Sequence, residues 1–483
     1  MVRGAVRMDI STTSSQGGEG GEGGQLERVM AAMRRRISAR ALPPGAKLPS
    51  IRGCAKTMGV STSTVAEAYG RLVAEGAVQA RPGSGFYVTR TPQPLALAEI
   101  GPRLERAVDP FWVSRQSLEA GRAVLKPGCG WLPADWMPEA DLRRALREVA
   151  RAETAVLTDY GTPLGHAPLR QLLSRRMAAQ GVVAPPAQIL LTESGTQAID
   201  MLLRLLVEPG DTVLVDDPCY FNFLALLRAH RVEIVGVPMT PAGPDVEAFA
   251  AVVASHRPRL YITNAAIHNP TGAVLSPSIA HRLLALCEAG DVTVIEDDIF
   301  GDFEEEAAPR LAALDGLSRV IRIGSFSKTL TAAARCGYVA ARPEWIAALV
   351  DLKIATSFGG SPVAAELTHA LLRDGSYRRH LNGLRERLAR TTADVRARLG
   401  VLGIRPWIEP RGGLFLWCAL PDGIDAAAVA RRAMAHDVVL APGNVFSVSQ
   451  SAGGMMRFNV AQCGDPRVFS VLARAMEGAA AEG

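Results

Sequence analysis

Short apolar runs recur through most of this chain, and each is separated from the next by a long amphipathic stretch. The runs are "QILLT", "TVLVDD", "LYITN", "VTVIEDD" and "VIRIGS", and the last four are rich in Val, Ile and Leu. Such runs are typical of parallel strands buried on both faces, and the stretches between them are long enough for crossover helices. The pattern predicts an α/β fold: a mostly parallel sheet with helices on both faces.

The chain has 483 residues, too many for one ordinary core, so we expect more than one domain. Residues 1–24 are rich in Gly, Ser, Thr and Glu and predict a disordered tail. A small domain is expected over 25–90 and a Pro-punctuated linker with one short helix over 91–121. The body is expected over 122–483, with a smaller C-terminal α+β subdomain over roughly 370–483.

The small domain predicts three helices followed by a hairpin. The helical segments are "QLERVMAAMRRRISARAL", "SIRGCAKTMGV" with Ser50 as its N-cap, and "STSTVAEAYGRLVAEGA" with Ser61 as its N-cap. The segment "VQARPGSGFYVT" alternates around a Pro-Gly-Ser-Gly turn, as a hairpin does. This order is that of a winged helix-turn-helix.

The same domain carries most of the chain's excess positive charge. Residues 25–90 contain eleven lysines and arginines against three acidic residues, whereas the rest of the chain is close to neutral. A basic helix-turn-helix suggests that the start of its third helix contacts base edges while nearby cations contact phosphates. A solvated basic surface on a structural subdomain would explain the charge equally well.

The motifs "PGAKLPS", "GVSTSTV", "AYGRL", "EG" and "GSGFYV" nevertheless resemble the GntR family of bacterial winged-helix repressors over about 65 residues. The resemblance implies binding to double-stranded operator DNA. One departure is Thr62, where the family usually has arginine. The residues that correspond to the family's DNA-facing positions are Lys47, Arg52, Ser61, Ser63, Thr64 and Gly85.

In the body, the segment "GSFSKTLTAAARCGYVA" places Lys328 between two serines and an arginine. A free lysine has a pKa near 10.4 and is nucleophilic at neutral pH only where its neutral form is stabilised. Pyridoxal phosphate requires such a lysine, together with a carboxylate for its ring nitrogen and an anion site for its phosphate. Lys328 is therefore a candidate for the Schiff-base lysine.

Other segments supply the remaining groups. Asp297 ends an apolar run and is a candidate partner for the ring nitrogen. Asn269 is also expected to end a strand and is a candidate donor to the ring's phenolic oxygen, and Tyr220 is a candidate to stack on the ring face. A helix start, which favours a phosphate, follows "QILL". Each residue alone has an ordinary explanation as a surface, turn or core residue, and the interpretation depends on their occurring together. The candidate phosphate ligands are Ser194, Gly195, Thr196, Ser325 and Arg335.

The order "YGTPLGHAPLR", "SGTQ", "DDPCYF", "NPTG", "EDD", "SFSK", "RCGY" and "MRFNV" resembles that of the fold-type I aminotransferases. The resemblance implies that pyridoxal 5′-phosphate is bound as a Schiff base at Lys328. It also implies that Asp297, Asn269, Tyr220 and the candidate phosphate ligands have the roles given to them in the preceding paragraph. It further implies that Arg457 binds an α-carboxylate and that Tyr160 reaches the cofactor of a neighbouring subunit. Two departures are Phe300, where the family usually has tyrosine, and Ala332-Ala333, where it commonly has Pro-Gly.

A GntR-like head fused to an aminotransferase-like body resembles the MocR family of transcriptional regulators. That resemblance implies a homodimer, head-to-tail and domain-swapped, which senses pyridoxal phosphate or an amine or amino acid effector at Lys328. The alternatives are an aminotransferase with a DNA-binding appendage, whose turnover Phe300 would weaken, and a repressor with a decayed, cofactor-free body. Whether the protein is an enzyme therefore stays open at this point.

Seven cysteines are scattered along the chain without a CxxC pair, so we expect neither a metal site nor a disulfide framework. No long uncharged apolar run suggests a membrane span, and the N-terminus does not have the layout of a signal peptide. These features predict a cytoplasmic protein.

Overall fold

A computed structural model describes residues 22–38, 42, 45–89, 110–121, 123–264 and 266–480. The described residues up to Thr89 belong to one compact unit, and those from Pro110 onward belong to a second. Most of the predicted tail and linker lies outside the described residues. Within them, residues 22–24 are helical rather than part of a tail, and the short helix expected in the linker spans Pro110–Glu119.

The first unit contains the three predicted helices and the hairpin. Ser50 and Ser61 cap the second and third helices as predicted, since their Oγ atoms accept from the backbone N–H groups of Gly53 at 3.1 Å and Thr64 at 3.0 Å. A shared core, with Tyr69 fully buried, holds the helices together. The elements are α1 (Glu22–Ser38), α2 (Ile51–Met58), α3 (Thr62–Ala74), β1 (Val78–Arg81) and β2 (Gly85–Val88).

An eight-stranded sheet forms the centre of the second unit, in the order β3-β10-β9-β8-β7-β4-β5-β6. Pairing is parallel from β9 through β8, β7 and β4 to β5, and antiparallel where β10 and β6 join. All five predicted runs are strands of this sheet. The strands are β3 (Ile189–Thr192), β4 (Thr212–Asp217), β5 (Glu233–Thr240), β6 (Gly243–Pro244), β7 (Leu260–Thr263), β8 (Thr293–Asp297), β9 (Val320–Ser325) and β10 (Gly337–Ala340).

Helices cover both faces of this sheet, as the runs predicted. Successive strand residues point into different cores: Val294 packs in one cluster and Ile295 in the other. The helices of the unit are α4 (Pro110–Glu119), α5 (Glu139–Val149), α6 (Thr154–Thr158), α7 (Ala167–Ala178), α8 (Gly195–Leu206), α9 (Phe221–Ala229), α10 (Val246–His256), α11 (Pro277–Ala289), α12 (Leu311–Asp315), α13 (Pro343–Ser357), α14 (Pro362–Leu372), α15 (Gly375–Val401), α16 (Ala426–Met434) and α17 (Arg467–Ala480).

A smaller antiparallel sheet in the C-terminal part has the order β11-β12-β14-β13. The start of the body also joins it: the N–H of Gly128 donates to Val439 at 2.9 Å, and the N–H of Asn459 donates to Pro127 at 2.7 Å. Residues far apart in sequence therefore meet beside this sheet. Its strands are β11 (Arg405–Pro406), β12 (Phe415–Ala419), β13 (Ala441–Pro442) and β14 (Met455–Asn459).

Across the part of the chain that the structure describes, none of the helices combines the length and the apolar character needed to cross a bilayer.

Candidate functional site

The predicted site residues of the body converge beyond the carboxyl ends of the parallel strands. Asp297 is the last residue of β8, Ser325 is the last residue of β9, and Lys328 lies in the turn after β9. Tyr220 follows the end of β4 and immediately precedes α9. This edge of an open α/β sheet is where ligands bind.

The prediction that Asn269 ends a strand was wrong. The strand β7 ends at Thr263, and Asn269 lies in the loop that follows. The loop turns back on itself because the N–H of Gly272 donates to the carbonyl of His268 at 2.7 Å. This local turn, rather than the strand, positions the Asn269 side chain.

The Lys328 side chain is half-buried, and its Nζ donates to the carbonyl of Gly130 at 2.6 Å. Burial lowers the pKa of Lys328 to about 8, and the positive charge of Arg457 acts in the same direction. The carboxylate of Asp297 opposes both effects. Roughly a fifth of this amine is therefore neutral near physiological pH, far more than for an exposed lysine, and the neutral form is the one that a nucleophile requires.

Capture of an aldehyde by Lys328 should rise with pH and level off above the pKa of about 8. Only the unprotonated amine attacks, so the rate follows the neutral fraction of Lys328. Rapid-mixing absorbance of the apoprotein with pyridoxal phosphate across a pH series would measure this profile. A rate still rising near pH 10, as for an exposed lysine, would contradict the assignment.

Asp297 is buried at the end of β8, with 6% of its surface exposed. Burial raises its pKa to about 7, against the opposing effect of hydrogen bonds from the N–H of Ile299 and from Asn264. The N–H of Ile299 lies 3.1 Å from the carboxylate Oδ1. A carboxyl group in this environment can share a proton with a basic ring nitrogen.

Arg457 on β14 lies almost fully buried beside Asn269. One terminal nitrogen of its guanidinium donates to Asn269 Oδ1 at 2.8 Å and the other to the carbonyl of Gly128 at 2.7 Å. Its Nε has no hydrogen-bond partner among the described residues. Each terminal nitrogen still carries a second N–H, so the group retains donors for an incoming anion.

Three of the five candidate phosphate ligands form the N-terminus of α8, and Ser325 lies beside it, 4.0 Å from where a Cβ on Gly195 would be. Ser194 caps this helix, accepting from the N–H of Gln197 at 3.0 Å, and Gly195 and Thr196 are its first residues. The Ser325 hydroxyl reaches the carbonyl of Cys336 at 3.2 Å. Arg335 is exposed, and within the described residues its side chain has no ion pair or hydrogen bond. Free backbone N–H groups and an unpaired guanidinium suit a phosphate.

Replacement of Gly337 by alanine should disrupt this anion site. An added Cβ would lie 2.7 Å from the Ser194 carbonyl carbon and 3.0 Å from the Gly195 nitrogen, so the backbone of the helix start must move. We expect cofactor affinity to fall about tenfold or more, since such overpacking costs roughly 1–3 kcal/mol. Equilibrium titration monitored by cofactor absorbance measures the loss.

Gly383→Ala is the matched control for that prediction. Gly383 is an exposed position in α15 where an added Cβ meets nothing within 4 Å. Its replacement should leave cofactor affinity unchanged. Equal affinity of the Gly337 variant and the parent would show that Gly337 does not shape the anion site.

Tyr220 and Tyr160 occupy different environments. The Tyr220 side chain is half-buried, and burial raises its pKa, an effect that Asp297 reinforces and Arg457 opposes. Tyr160 is 85% exposed, and its ring lies 5.4 Å from that of the exposed Phe358. Tyr160 therefore lies outside the core of its own chain, and its contact with a partner subunit stays a prediction.

The two departures from the aminotransferase pattern have local structural explanations. Phe300 is 4% exposed, and its ring packs edge-on against Phe415 at 5.5 Å. The Arg457 guanidinium in turn lies 4.2 Å from the Phe415 ring. In the turn after Lys328, the hydroxyl of Thr331 accepts from the N–H of Ala333 at 3.1 Å and so stabilises the Ala332-Ala333 segment without proline or glycine.

In the first unit, four of the six predicted DNA contacts (Lys47, Arg52, Ser61 and Ser63) are exposed, and Thr64 and Gly85 are half-buried. The Ser61 hydroxyl lies 2.7 Å from those of Ser63 and Thr64, which forms a hydroxyl cluster at the start of α3. Lys47 is exposed, and its Cε would lie 3.3 Å from a Cβ at position 85, so Gly85 leaves room for it. These contacts stay predictions.

Arg52→Ala should weaken binding to all DNA sequences and reduce the slope of log affinity against log salt by about 1, because one phosphate contact is lost. Arg52 is exposed on α2. Arg71→Ala is the control, because Arg71 on α3 is already paired with Glu67 at 2.8 Å. Fluorescence anisotropy over a salt series measures both slopes. An unaltered slope for the Arg52 variant would remove Arg52 from the interface.

Sequence reasoning did not identify the carbonyls of Gly128 and Gly130 as partners of Arg457 and Lys328, nor Asn264 as the neighbour of Asp297. The glycine-rich "PGCG" segment was the available signal, since glycines permit close backbone approach. Its contact partners could not be inferred from the sequence, because they lie about two hundred or more residues away along the chain.

Comparison with known proteins agrees with this geometry. Residues 130–474 match the family model described as aminotransferase class I and II, and residues 25–88 match that of bacterial regulatory proteins of the gntR family. The chain is 30% identical over 443 residues to the uncharacterized HTH-type transcriptional regulator YdcR of Escherichia coli, covering 90% of this chain and 94% of that protein. It is 29% identical to the 2-aminoadipate transaminase of Thermus thermophilus, covering 70% of this chain and 87% of the other.

Among solved structures, α-aminoadipate aminotransferase LysN from Thermus thermophilus, complexed with N-(5′-phosphopyridoxyl)-L-leucine, aligns with a TM-score of 0.71 and 26% identity. The alignment covers 77% of this chain and 96% of LysN. The fold and the family matches thus define a DNA-binding regulator whose body is a pyridoxal phosphate-binding, fold-type I aminotransferase domain. The chain belongs to the aminotransferase class I and II family and, with its GntR head, is a MocR-type transcriptional regulator.

Proposed function

We propose that this regulator holds pyridoxal 5′-phosphate at Lys328 and changes its DNA binding when the cofactor itself, an amine or an amino acid engages that site. The observation that carries the proposal is the environment of the Lys328 amine. This amine is half-buried, donates a hydrogen bond to the carbonyl of Gly130, and has a pKa of about 8 that the charges of Asp297 and Arg457 influence.

The donor set fits the cofactor. Pyridoxal phosphate bound at such a lysine supplies an electron-poor ring that withdraws electrons from an attached amine. Asp297 would hold a proton at the ring nitrogen, and Asn269, oriented by Arg457, would donate to the phenolic oxygen. Tyr220 would lie against the ring. The phosphate would be held by Ser194, Gly195, Thr196, Ser325 and Arg335.

Arg457 would recognise the carboxylate of an amino acid effector. Three aromatic rings, those of Phe415, Phe446 and Phe221, lie 4.2, 4.8 and 5.9 Å from its guanidinium and exclude water. Burial lowers the pKa of Arg457 to about 10, which still leaves the group charged at neutral pH. An effector carboxylate would relieve part of the cost of burying that charge.

The DNA-bound form would be a homodimer, head-to-tail and domain-swapped, whose two heads bind paired half-sites. Proteins of the aminotransferase fold are typically dimers. The exposed Tyr160 would reach the cofactor of the partner subunit. An effector changes DNA binding only if it binds two conformations with different affinity, and displacement of Lys328 by an effector amine is one such difference.

Transamination is the second candidate function. The similarity to a 2-aminoadipate transaminase and the presence of Lys328, Asp297 and Arg457 favour it. Phe300 disfavours it, because no hydroxyl at that position can tune the acidity of the bound cofactor. We therefore propose that turnover is weak or limited to a half-reaction.

Footprinting tests the proposal. The purified chain would be footprinted on the DNA upstream of its own gene, first with pyridoxal phosphate and then with the cofactor plus pools of amino acids and amines. Protected repeats whose pattern changes with ligand would support a ligand-sensing regulator. Steady turnover of one amino acid without protection under any condition would favour the aminotransferase.

A further inference from the structure

Three potential metal ligands meet on the side of the body formed by α7 and α14. His166 immediately precedes α7, while Glu366 and His369 lie one turn apart on α14. Residues three apart on a helix share a face, so both α14 side chains point toward the same neighbour. The group is distinct from the residues assigned to pyridoxal phosphate.

Their ligand atoms are close together. The Nε2 atom of His166 lies 2.8 Å from the Glu366 carboxylate, and the Nδ1 atom of His369 lies 3.8 Å from its other oxygen. One ligand atom from each residue falls within 4.8 Å of the others. Among the residues described, no other group of three or more histidine, cysteine or acidic side chains is so arranged.

The cluster is incompletely hydrogen-bonded. The Nδ1 atom of His369 is buried and has no hydrogen-bond partner among the described residues, because 3.8 Å is too long for one. The single carboxylate of Glu366 thus faces two imidazoles, forms an ion-pair contact with His166 at 2.8 Å and leaves the His369 nitrogen without a hydrogen bond. A cation between the three ligand atoms would use the His369 nitrogen that is otherwise left unpaired.

The surroundings leave access for an ion and a further ligand. The three side chains are each 19% exposed, so they are neither sealed in the core nor fully solvated. His166 also lines a cavity of about 740 Å³, whose wall includes Arg335 and Tyr160. Three protein ligands with an open position beside them are typical of metal sites that accept water or a small molecule as a fourth ligand.

We propose that His166, Glu366 and His369 bind one divalent transition-metal ion of the Zn²⁺ class. Two imidazoles and one carboxylate suit Zn²⁺, Co²⁺ or Ni²⁺, whereas Mg²⁺ and Ca²⁺ prefer oxygen ligands only. The expectation that the chain has no metal site came from its cysteine spacing, and this site uses none of the cysteines. The bound ion would fix the start of α7 against α14 on one wall of the cavity.

Metal titration of the full chain, loaded with pyridoxal phosphate, tests the proposal. We expect saturable binding of one Co²⁺ per chain with the visible absorption bands of a low-coordinate site, displacement of Co²⁺ by Zn²⁺, and a raised melting temperature with either ion. Glu366→Gln keeps the size of the side chain and a carbonyl oxygen beside His166, so it should fold normally. His369→Gln removes the second imidazole.

Each variant should weaken metal binding about 100-fold or more, since even loss of an outer-shell partner costs roughly 10- to 100-fold. The control is His436→Gln, which alters an exposed histidine outside the cluster and should bind Co²⁺ like the parent. Absence of saturable Co²⁺ and Zn²⁺ binding would overturn the proposal. So would unchanged affinity in both cluster variants, or the strong near-ultraviolet band of cysteine thiolate ligation to Co²⁺.

Discussion

Lys328→Ala is expected to abolish covalent attachment of pyridoxal phosphate while leaving the chain folded. Alanine has no amine, and the only hydrogen bond of Lys328 Nζ in the described structure is to the Gly130 carbonyl, so little of the fold depends on it. The absorbance of the covalently bound cofactor should disappear completely, and borohydride treatment should no longer fix cofactor to the chain. Circular dichroism and gel filtration would verify folding.

The body contains a second buried lysine that serves as a matched control. Lys353 is 2% exposed, its pKa is lowered to about 8 mainly by burial, and its Nζ donates at 2.8 Å to the carbonyls of both Pro163 and Leu191. Both hydrogen bonds hold this amine against the backbone, so we assign Lys353 a structural role. Lys353→Gln should therefore retain the cofactor absorbance. Retention of that absorbance in the Lys328 variant, or its loss only in the Lys353 variant, would contradict the assignment.

Asp298→Ala is expected to lower the free energy of unfolding of the body by about 3–5 kcal/mol, the usual cost of removing one partner from a buried ion pair. Asp298 is next to Asp297 and forms ion pairs with two arginines, Arg310 at 3.0 Å and Arg322. The side chains of all three are 2% exposed. Among the described residues, Arg322 would keep only Gln180, at 2.6 Å, as a side-chain hydrogen-bond partner. Within the same residues, Arg310 would keep only Glu304 and the carbonyl of Ala308.

Asp394→Ala is the control for that experiment. Asp394 pairs with Arg398 at 3.0 Å on the surface of α15, where 57% of its side chain is exposed. An exposed pair contributes little, so its loss should change the unfolding free energy by less than about 0.5 kcal/mol. Urea denaturation followed by tryptophan fluorescence would compare the variants. A change for Asp298→Ala no larger than that of the control would show that the buried arginines find other partners.

The positions of most helices and strands follow from local properties of the sequence. Ser50 and Ser61 cap their helices as predicted because capping depends only on the residues within one turn. The five apolar runs are strands because a run buried on both faces must be apolar throughout. The MocR-type organisation followed from motifs, since each short motif has its own local geometry.

The environment of each site residue depended on the tertiary structure. The sequence identified Lys328, Asp297 and Arg457 as candidates, but not the carbonyls of Gly130 and Gly128 that two of them contact. The position of Asn269 could not be predicted from the sequence either, because this residue lies in the loop after β7 and not at a strand end. Local patterns carry no information on which distant backbone segment closes a site.

The sequence by itself thus determined the class of protein, the element order and the chemical groups of the candidate site, because these depend on residue type and short-range spacing. Only the tertiary structure decided the pKa values of Lys328 and Asp297 and the meeting of His166 with Glu366 and His369. The physical reason is that burial and electrostatic interactions arise between residues that only packing brings together, such as Lys328 with Arg457 and His166 with Glu366.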